Sequence, residues 1–167
     1  MPKNVFTCLL LAFALLACSR TGHEQFRSDI ESPLIANDIS NQRISSFAED
    51  GQGHIWMGTF RGLNRFNVHE FDQHFCTDDE NTLPDNQIQC LLKDSRNRLW
   101  VSTVNGMALY TDKDDFKRIP MESPSRNSVQ ILEDYSGRIY INTSISVCVY
   151  DEEQEKFVKE TSSPDSH

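Results

Sequence analysis

The sequence predicts an all-β fold of β-propeller blades: about three four-stranded antiparallel blades, forming an incomplete propeller. Three observations predict it. A segment recurs without an internal gap at residues 49–66, 93–110 and 133–150. Its copies start about 40 residues apart, the period of a stacked or radial repeat. Each copy also divides into short apolar runs separated by turn residues, and polar linkers follow at 77–86, at 122–127 and from 160 onward. Four short antiparallel strands in a unit of that length make one propeller blade.

The unit opens on an alternating run: Ile44, Ser46 and Ala48, then Ile88, Cys90 and Leu92, then Val129 and Ile131. The opposite face carries Phe47, Leu91 and Leu132. A strand that is apolar on both faces is expected to lie between two layers. A turn of the form Asp-x-x-Gly or Asp-x-x-Asn follows, at Asp50 to Gly53, Asp94 to Asn97 and Asp134 to Gly137. The Asp caps such a turn through its own side chain, and Gly or Asn accepts left-handed backbone there. The second strand sets Ile55 and Met57 on one face, with Trp56 and Gly58 on the other. Leu99, Val101, Trp100 and Ser102 repeat that arrangement, as do Ile139, Ile141, Tyr140 and Asn142. A large aromatic beside a small residue lets a neighbouring sheet approach closely. A second turn carries Gly62, Gly106 and, in the third copy, Ser146. The third strand then ends on Phe66, Tyr110 and Tyr150. Phe71 and Phe75, Phe116 and Ile119, and Phe157 mark a less regular fourth strand. Nothing after Ala17 reads as a helix.

A secretory address precedes the repeats. After a basic start, residues 5–17 form an apolar run broken only by Thr7 and Cys8. This is shorter than the roughly 20 residues a membrane span needs, and it suits the core of a signal peptide. The run ends in Leu15-Leu16-Ala17-Cys18, which resembles a bacterial lipobox. That resemblance implies cleavage before Cys18 and a lipid on its sulfur, holding the chain at a membrane surface. Ordinary cleavage near Ala17 is the alternative. The expected organisation is a signal peptide at 1–17, a linker at 18–38, blades at 39–86, 87–127 and 128–160, and a linker or truncated end at 161–167. The location is then periplasmic or otherwise extracytoplasmic.

Charge and chemistry narrow the function. The chain carries 16 Lys and Arg against 25 Asp and Glu, a net charge of −9. Such a surface repels phosphate backbones, so no nucleic-acid partner is expected. The five histidines show no zinc spacing, and His69 and His74 read as polar residues of a strand edge. Asp78, Asp79 and Glu80 read as a solvated linker rather than a calcium site. Cys90 and Cys148 fall in apolar runs as small core residues, and no required disulfide is expected. No catalytic residue, cofactor or metal is assigned, and the chain is read as a non-enzyme.

The string D-x-x-G-x-[IL]-W-[IMV]-[GS]-T-x-x-G-[LM] resembles the two-component regulator propeller repeat. Asp50, Gly53, Ile55, Trp56, Gly58, Thr59, Gly62 and Leu63 match it fully. Asn97 and Ser102 depart from it in the second copy, and Tyr140, Asn142 and Ser146 in the third. The resemblance covers about residues 39–160. It implies the periplasmic sensor region of a hybrid two-component system, as in gut Bacteroidetes that detect oligosaccharides, where propellers precede a membrane helix and a histidine kinase. On that reading the chain is the N-terminal part of such a protein. A stand-alone lipoprotein acting as a binding or assembly scaffold is the second reading, and a remnant of a propeller enzyme the third.

The repeated residues are read as structural: Asp50, Asp94 and Asp134 cap turns, Trp56, Trp100 and Tyr140 fill the space between blades, and Thr59, Thr103 and Thr143 close strand ends. Ligand contacts in propellers come from loops that differ between blades, which here leaves Arg61 and Asn105. The expected partners are an oligosaccharide or other small ligand, further propeller blades or a second copy, and the membrane through the lipid.

Overall fold

A computed structural model describes residues 38–111, 113–123 and 127–160, and Cys18 lies outside them. The described residues hold twelve strands and no helix. They form three four-stranded antiparallel sheets in simple meander order. The first sheet contains β1 (Ile44–Glu49), β2 (Ile55–Thr59), β3 (Gly62–Phe66) and β4 (Phe71–His74). The second contains β5 (Ile88–Lys93), β6 (Leu99–Thr103), β7 (Gly106–Tyr110) and β8 (Phe116–Ile119). The third contains β9 (Ser128–Glu133), β10 (Ile139–Thr143), β11 (Val147–Asp151) and β12 (Lys156–Lys159). The first strands β1, β5 and β9 lie against one another in sequence, as innermost strands of successive blades do. The three blades do not close a ring.

The first turn of each blade has one geometry. Gly53, Asn97 and Gly137 occupy the same position with φ of 86°, 63° and 80°, left-handed backbone that Gly and Asn tolerate. The amides of these three residues donate to the carbonyls of Asp50, Asp94 and Asp134 at 3.0–3.3 Å.

Two cores lie in the joints between blades. The first gathers Trp56 and Leu63 of blade 1 with Ile88, Leu91, Leu99, Val101, Ala108 and Phe116 of blade 2. The second gathers Trp100, Met107 and Ile119 of blade 2 with Ile131, Ile139, Ile141, Cys148, Tyr150 and Phe157 of blade 3. Blade 2 therefore buries both faces. Close approach depends on Gly58, where an added Cβ would sit 2.6 Å from Ile88 Cγ2.

Sequence and structure part in three places. Phe47, Leu91 and Ile131 share one repeat position, opposite Met57, Val101 and Ile141, yet Leu91 is 7% exposed, Ile131 8% and Phe47 58%, while Leu132 lies one position further on, opposite Tyr140. The pattern reports the capacity to be buried, and the neighbouring blade supplies the burial. Leu83, inside a stretch that reads as a polar linker, is fully buried in the first core because that linker crosses the next blade. His74 sits on edge strand β4 but turns inward, stacking on Trp56 at 5.4 Å and meeting the Phe116 ring edge-on at 5.4 Å. It belongs to a joint and not to a polar edge.

Candidate functional site

The strongest repeated constellation is Asp and Trp. Asp50 Oδ1 accepts the amides of Gln52 and His54 at 2.8 and 3.0 Å. Its Oδ2 accepts the Trp56 indole N–H and lies against His54 Nδ1, both at 2.9 Å. Asp94 repeats this, with Oδ1 accepting the amides of Arg96 and Arg98 and Oδ2 taking the Trp100 indole at 2.9 Å and Arg98 Nε at 2.6 Å. One carboxylate thus closes the turn and satisfies the only polar atom of a buried indole. Burial pushes the Asp50 carboxyl up, but bonds from Trp56, His54 and the turn amides outweigh it and hold it at about 2. Asp94 is lowered in the same way, by bonds from Trp100 and Arg98 that overcome its burial. Blade 3 has Tyr140 in place of the indole. Its Asp134 is lowered mainly by the Ser136 hydroxyl, with the Arg138 and Ser136 amides and the Arg138 guanidinium adding to it.

A second cluster lies across the first joint. Arg65 donates to Asp72 through Nε and Nη2 at 3.1 and 2.8 Å, and to Tyr110 Oη and Asp114 Oδ1 through Nη1 at 2.8 and 3.0 Å. Tyr110 in turn donates to Asp114 at 2.9 Å. Burial and that bond push the Tyr110 phenol up to about 12. His74 Nε2 is buried without a hydrogen-bond partner and stands 4.0 Å from Asp114 Oδ1. The apposed groups serve to lock blade 2 onto blade 1.

The loops differ more between blades. Thr59 and Thr103 hold the β2–β3 and β6–β7 turns by donating to the carbonyls of Gly62 and Gly106 at 2.8 and 2.9 Å. The same hydroxyls accept the amides of Arg61 and Asn105. Thr143 Oγ1 donates to Ser146 O at 2.9 Å in the third blade. Arg61 and Asn105 are exposed and line separate clefts at the same end of neighbouring blades. The Arg61 cleft, about 490 Å³, is walled by Phe60, Phe75, Asp85, Asn86 and Gln87 with Ser40. Arg43 lies over the Phe60 ring at 4.1 Å. Phe75 folds onto the turn, where a Cβ at Gly62 would come within 2.7 Å of its ring. The amides of Gly62 and Val104 donate to the carbonyls of Asn86 and Gln87, fixing the linker against two turns at once. Arg43, Asn86 and Gln87 carry no repeat signal, and Phe75, read from the sequence as part of the fourth strand, lies just past the end of β4, so the sequence did not mark them as a site.

Stacked four-stranded antiparallel blades with an indole and its carboxylate in each joint define a β-propeller repeat protein. Residues 38–61 and 82–105 match the family model described as two component regulator propeller. Similar solved structures include the extracellular domain of the hybrid two component system BT3049 from B. thetaiotaomicron, with a TM-score of 0.66 at 19% identity over 73% of this chain and 19% of that one. The extracellular domain of the hybrid two component system BT4673 from the same organism gives 0.58 at 23% identity, over 71% of this chain and 18% of that one. Virginiamycin B lyase from Staphylococcus aureus gives 0.58 at 16% identity, over 77% of this chain and 44% of that one. The chain spans about a fifth of the length of the two sensor domains. The same blade fold thus serves sensors and an enzyme, and fold by itself does not decide between them. The chain has no match among curated proteins.

Proposed function

We propose that this chain is the extracytoplasmic ligand-sensing propeller segment of a two-component signal transduction system, the N-terminal part of a hybrid histidine kinase, and that its ligand is an oligosaccharide. The observation that carries the ligand class is the Arg61 cleft. Two aromatic rings, Phe60 and Phe75, stand beside Arg61, Asp85, Asn86 and Gln87. Aromatic faces take the apolar side of a sugar ring, while amide and charged groups take its hydroxyls, so two rings set among polar side chains suit a sugar. The repeat family and the extracellular sensor domains that share the fold support the sensing role. The role is binding rather than catalysis. Cys18, in its lipobox-like setting, carries the membrane anchor.

Calorimetric titration of the full chain with neutral oligosaccharides of several linkage types tests the ligand class. A match should bind with a dissociation constant in the micromolar to millimolar range, and Phe75→Ala or Arg61→Ala should weaken it by roughly tenfold or more. Failure of every neutral oligosaccharide to bind would remove the glycan. The Leu15-Leu16-Ala17-Cys18 sequence favours a second reading, a lipoprotein scaffold without a kinase. Genomic sequence continuing from the His167 codon into a membrane span and a kinase would exclude that reading.

A further inference from the structure

The Arg61 cleft has a neighbour. A second cleft of about 340 Å³ opens at the matched turn of blade 2, where apolar Pro84, Ile119, Pro120 and Met121 meet the polar heads of Asn105 and Arg118. Asn105 is exposed, and its side-chain amide makes no hydrogen bond among the described residues. Arg118 commits Nε and Nη2 to the carbonyls of Thr82 and Leu83 at 3.0 and 3.1 Å, which leaves Nη1 without a hydrogen bond among the described residues. The Arg61 guanidinium in the first cleft is equally unengaged among them. Each cleft thus sets free polar donors beside apolar surface.

One piece of chain separates the two clefts. Pro84 lines the second, and its successors Asp85, Asn86 and Gln87 line the first. Both turns grip this wall: the Gly62 amide donates to Asn86 O at 2.8 Å and the Val104 amide to Gln87 O at 3.1 Å. The Gln87 amide donates to Asp85 Oδ1 at 2.8 Å, and Arg118 holds the stretch just before the wall. At Gly106 an added Cβ would rest 3.5 Å from Pro84 Cβ, so the second turn lies in van der Waals contact with the wall. These bonds fix the clefts relative to one another. Packed sheets lie about 10 Å apart, and that spacing separates matched turns on neighbouring blades.

We propose that the two clefts are consecutive subsites for one extended oligosaccharide, which crosses the wall at 84–87. One end lies against Phe60, Phe75 and Arg61, the other against Pro120, Met121 and Asn105. This rests on the reading of the Arg61 cleft as a sugar site, and adds to it a second site and a minimum ligand length. A single sugar does not span the distance between the clefts, whereas a short chain of sugars does. A ligand already held in the first cleft meets the second at high effective concentration, so two weak contacts combine into a tighter one. Because the wall is already fixed, little ordering is needed when a chain lies across it, and that gain is retained.

Calorimetric titration of the full chain with malto-, cello-, xylo- and manno-oligosaccharides, each from monosaccharide to hexasaccharide, tests the bridge. In a series that binds, affinity should rise by roughly tenfold or more between disaccharide and hexasaccharide, in one step as the chain reaches the second cleft. Asn105→Ala should remove most of that rise and affect the disaccharide far less. Asn105→Trp, which fills the second cleft with a ring, should hold every longer chain near the affinity of the disaccharide. Both variants replace an exposed side chain whose backbone amide keeps its bond to Thr103 Oγ1, so circular dichroism should show each folded. Arg61→Ala should weaken disaccharide and hexasaccharide alike. Affinity independent of length would overturn the bridge and leave the Arg61 cleft as a single sugar site. An equal loss for short and long ligands in Asn105→Ala would also overturn it, because Asn105 would then belong to the first site. If no member of any series binds, the sugar reading falls and the bridge falls with it.

Discussion

The joint between blades 1 and 2 and the joint between blades 2 and 3 use the same indole insertion but different polar fasteners. In the first, the receiving side offers Tyr110 and Asp114 to Arg65, and His74 covers the indole. In the second, Arg98 reaches from the turn to bind Glu152 as well as Asp94, and Ile119 occupies the strand position held by His74 in the first. The aromatic contact sets where the blades meet, and the polar groups around it vary at constant geometry. An apolar contact depends on shape and area, so any well-packed ring fills it. Salt bridges at its rim are exchangeable because each contributes little by itself.

If the indoles are the shared element, removing either should have the largest effect in the molecule. Trp56→Ala and Trp100→Ala are both fully buried truncations and should each cost about 3–5 kcal/mol in guanidinium denaturation. A loss below about 1 kcal/mol for one of them would break the equivalence of the joints.

The carboxylates sharpen the comparison at intermediate size. Asp94 is fully enclosed and paired with Arg98, so Asp94→Ala strands a buried indole N–H and weakens the hold on a guanidinium. It should cost about 2–4 kcal/mol, against about 1–2 kcal/mol for Asp50→Ala, whose partner is His54. Asp134→Ala should cost least, because its turn serves a tyrosine that makes no such bond. The reverse order in denaturation midpoints would contradict the assignment of the indole as the carboxylate's main client.

The smallest effect should be one of pH, confined to the first joint. Burial between Trp56 and Phe116 lowers the His74 imidazole, nearby Arg65 lowers it further, and Asp114 and Asp72 act in the opposite sense. The unfolded imidazole titrates near 6.5, so below that value the unfolded chain binds more protons than the folded one. Stability should therefore fall as pH drops from about 7 to about 5. His74→Ile, which copies the second joint, should flatten that slope and remove an unpaired buried nitrogen. A slope unchanged in His74→Ile would assign it to other groups.

Much of the fold was legible because the repeat samples one local problem three times. Gly53, Asn97 and Gly137 differ in identity yet share positive φ, and only residues tolerant of that backbone recur there. Trp56 beside Gly58 announced a close joint, which the space around Gly58 explains. The site was less legible. Arg61 and Asn105 were reachable from the rule that ligand loops vary, but Phe75, Asn86 and Gln87 join the Arg61 cleft only because a linker doubles back across two turns. His74 gave no pattern, since a lone histidine on a four-residue strand has no periodicity to betray its face.

The sequence by itself determined the strands, their turns, the blade as a unit and the residues able to fill a joint, because these depend on backbone tolerance and on alternation along a single strand. Tertiary structure alone decided which of those residues are buried, which carboxylate is enclosed, and which linker side chains meet a loop from the preceding blade. Phe47, Leu91 and Ile131 hold one position in three copies of one unit, and the neighbouring sheet that covers Leu91 and Ile131 is what Phe47 lacks. Burial is a property of a pair of surfaces, and a single strand carries only one of them.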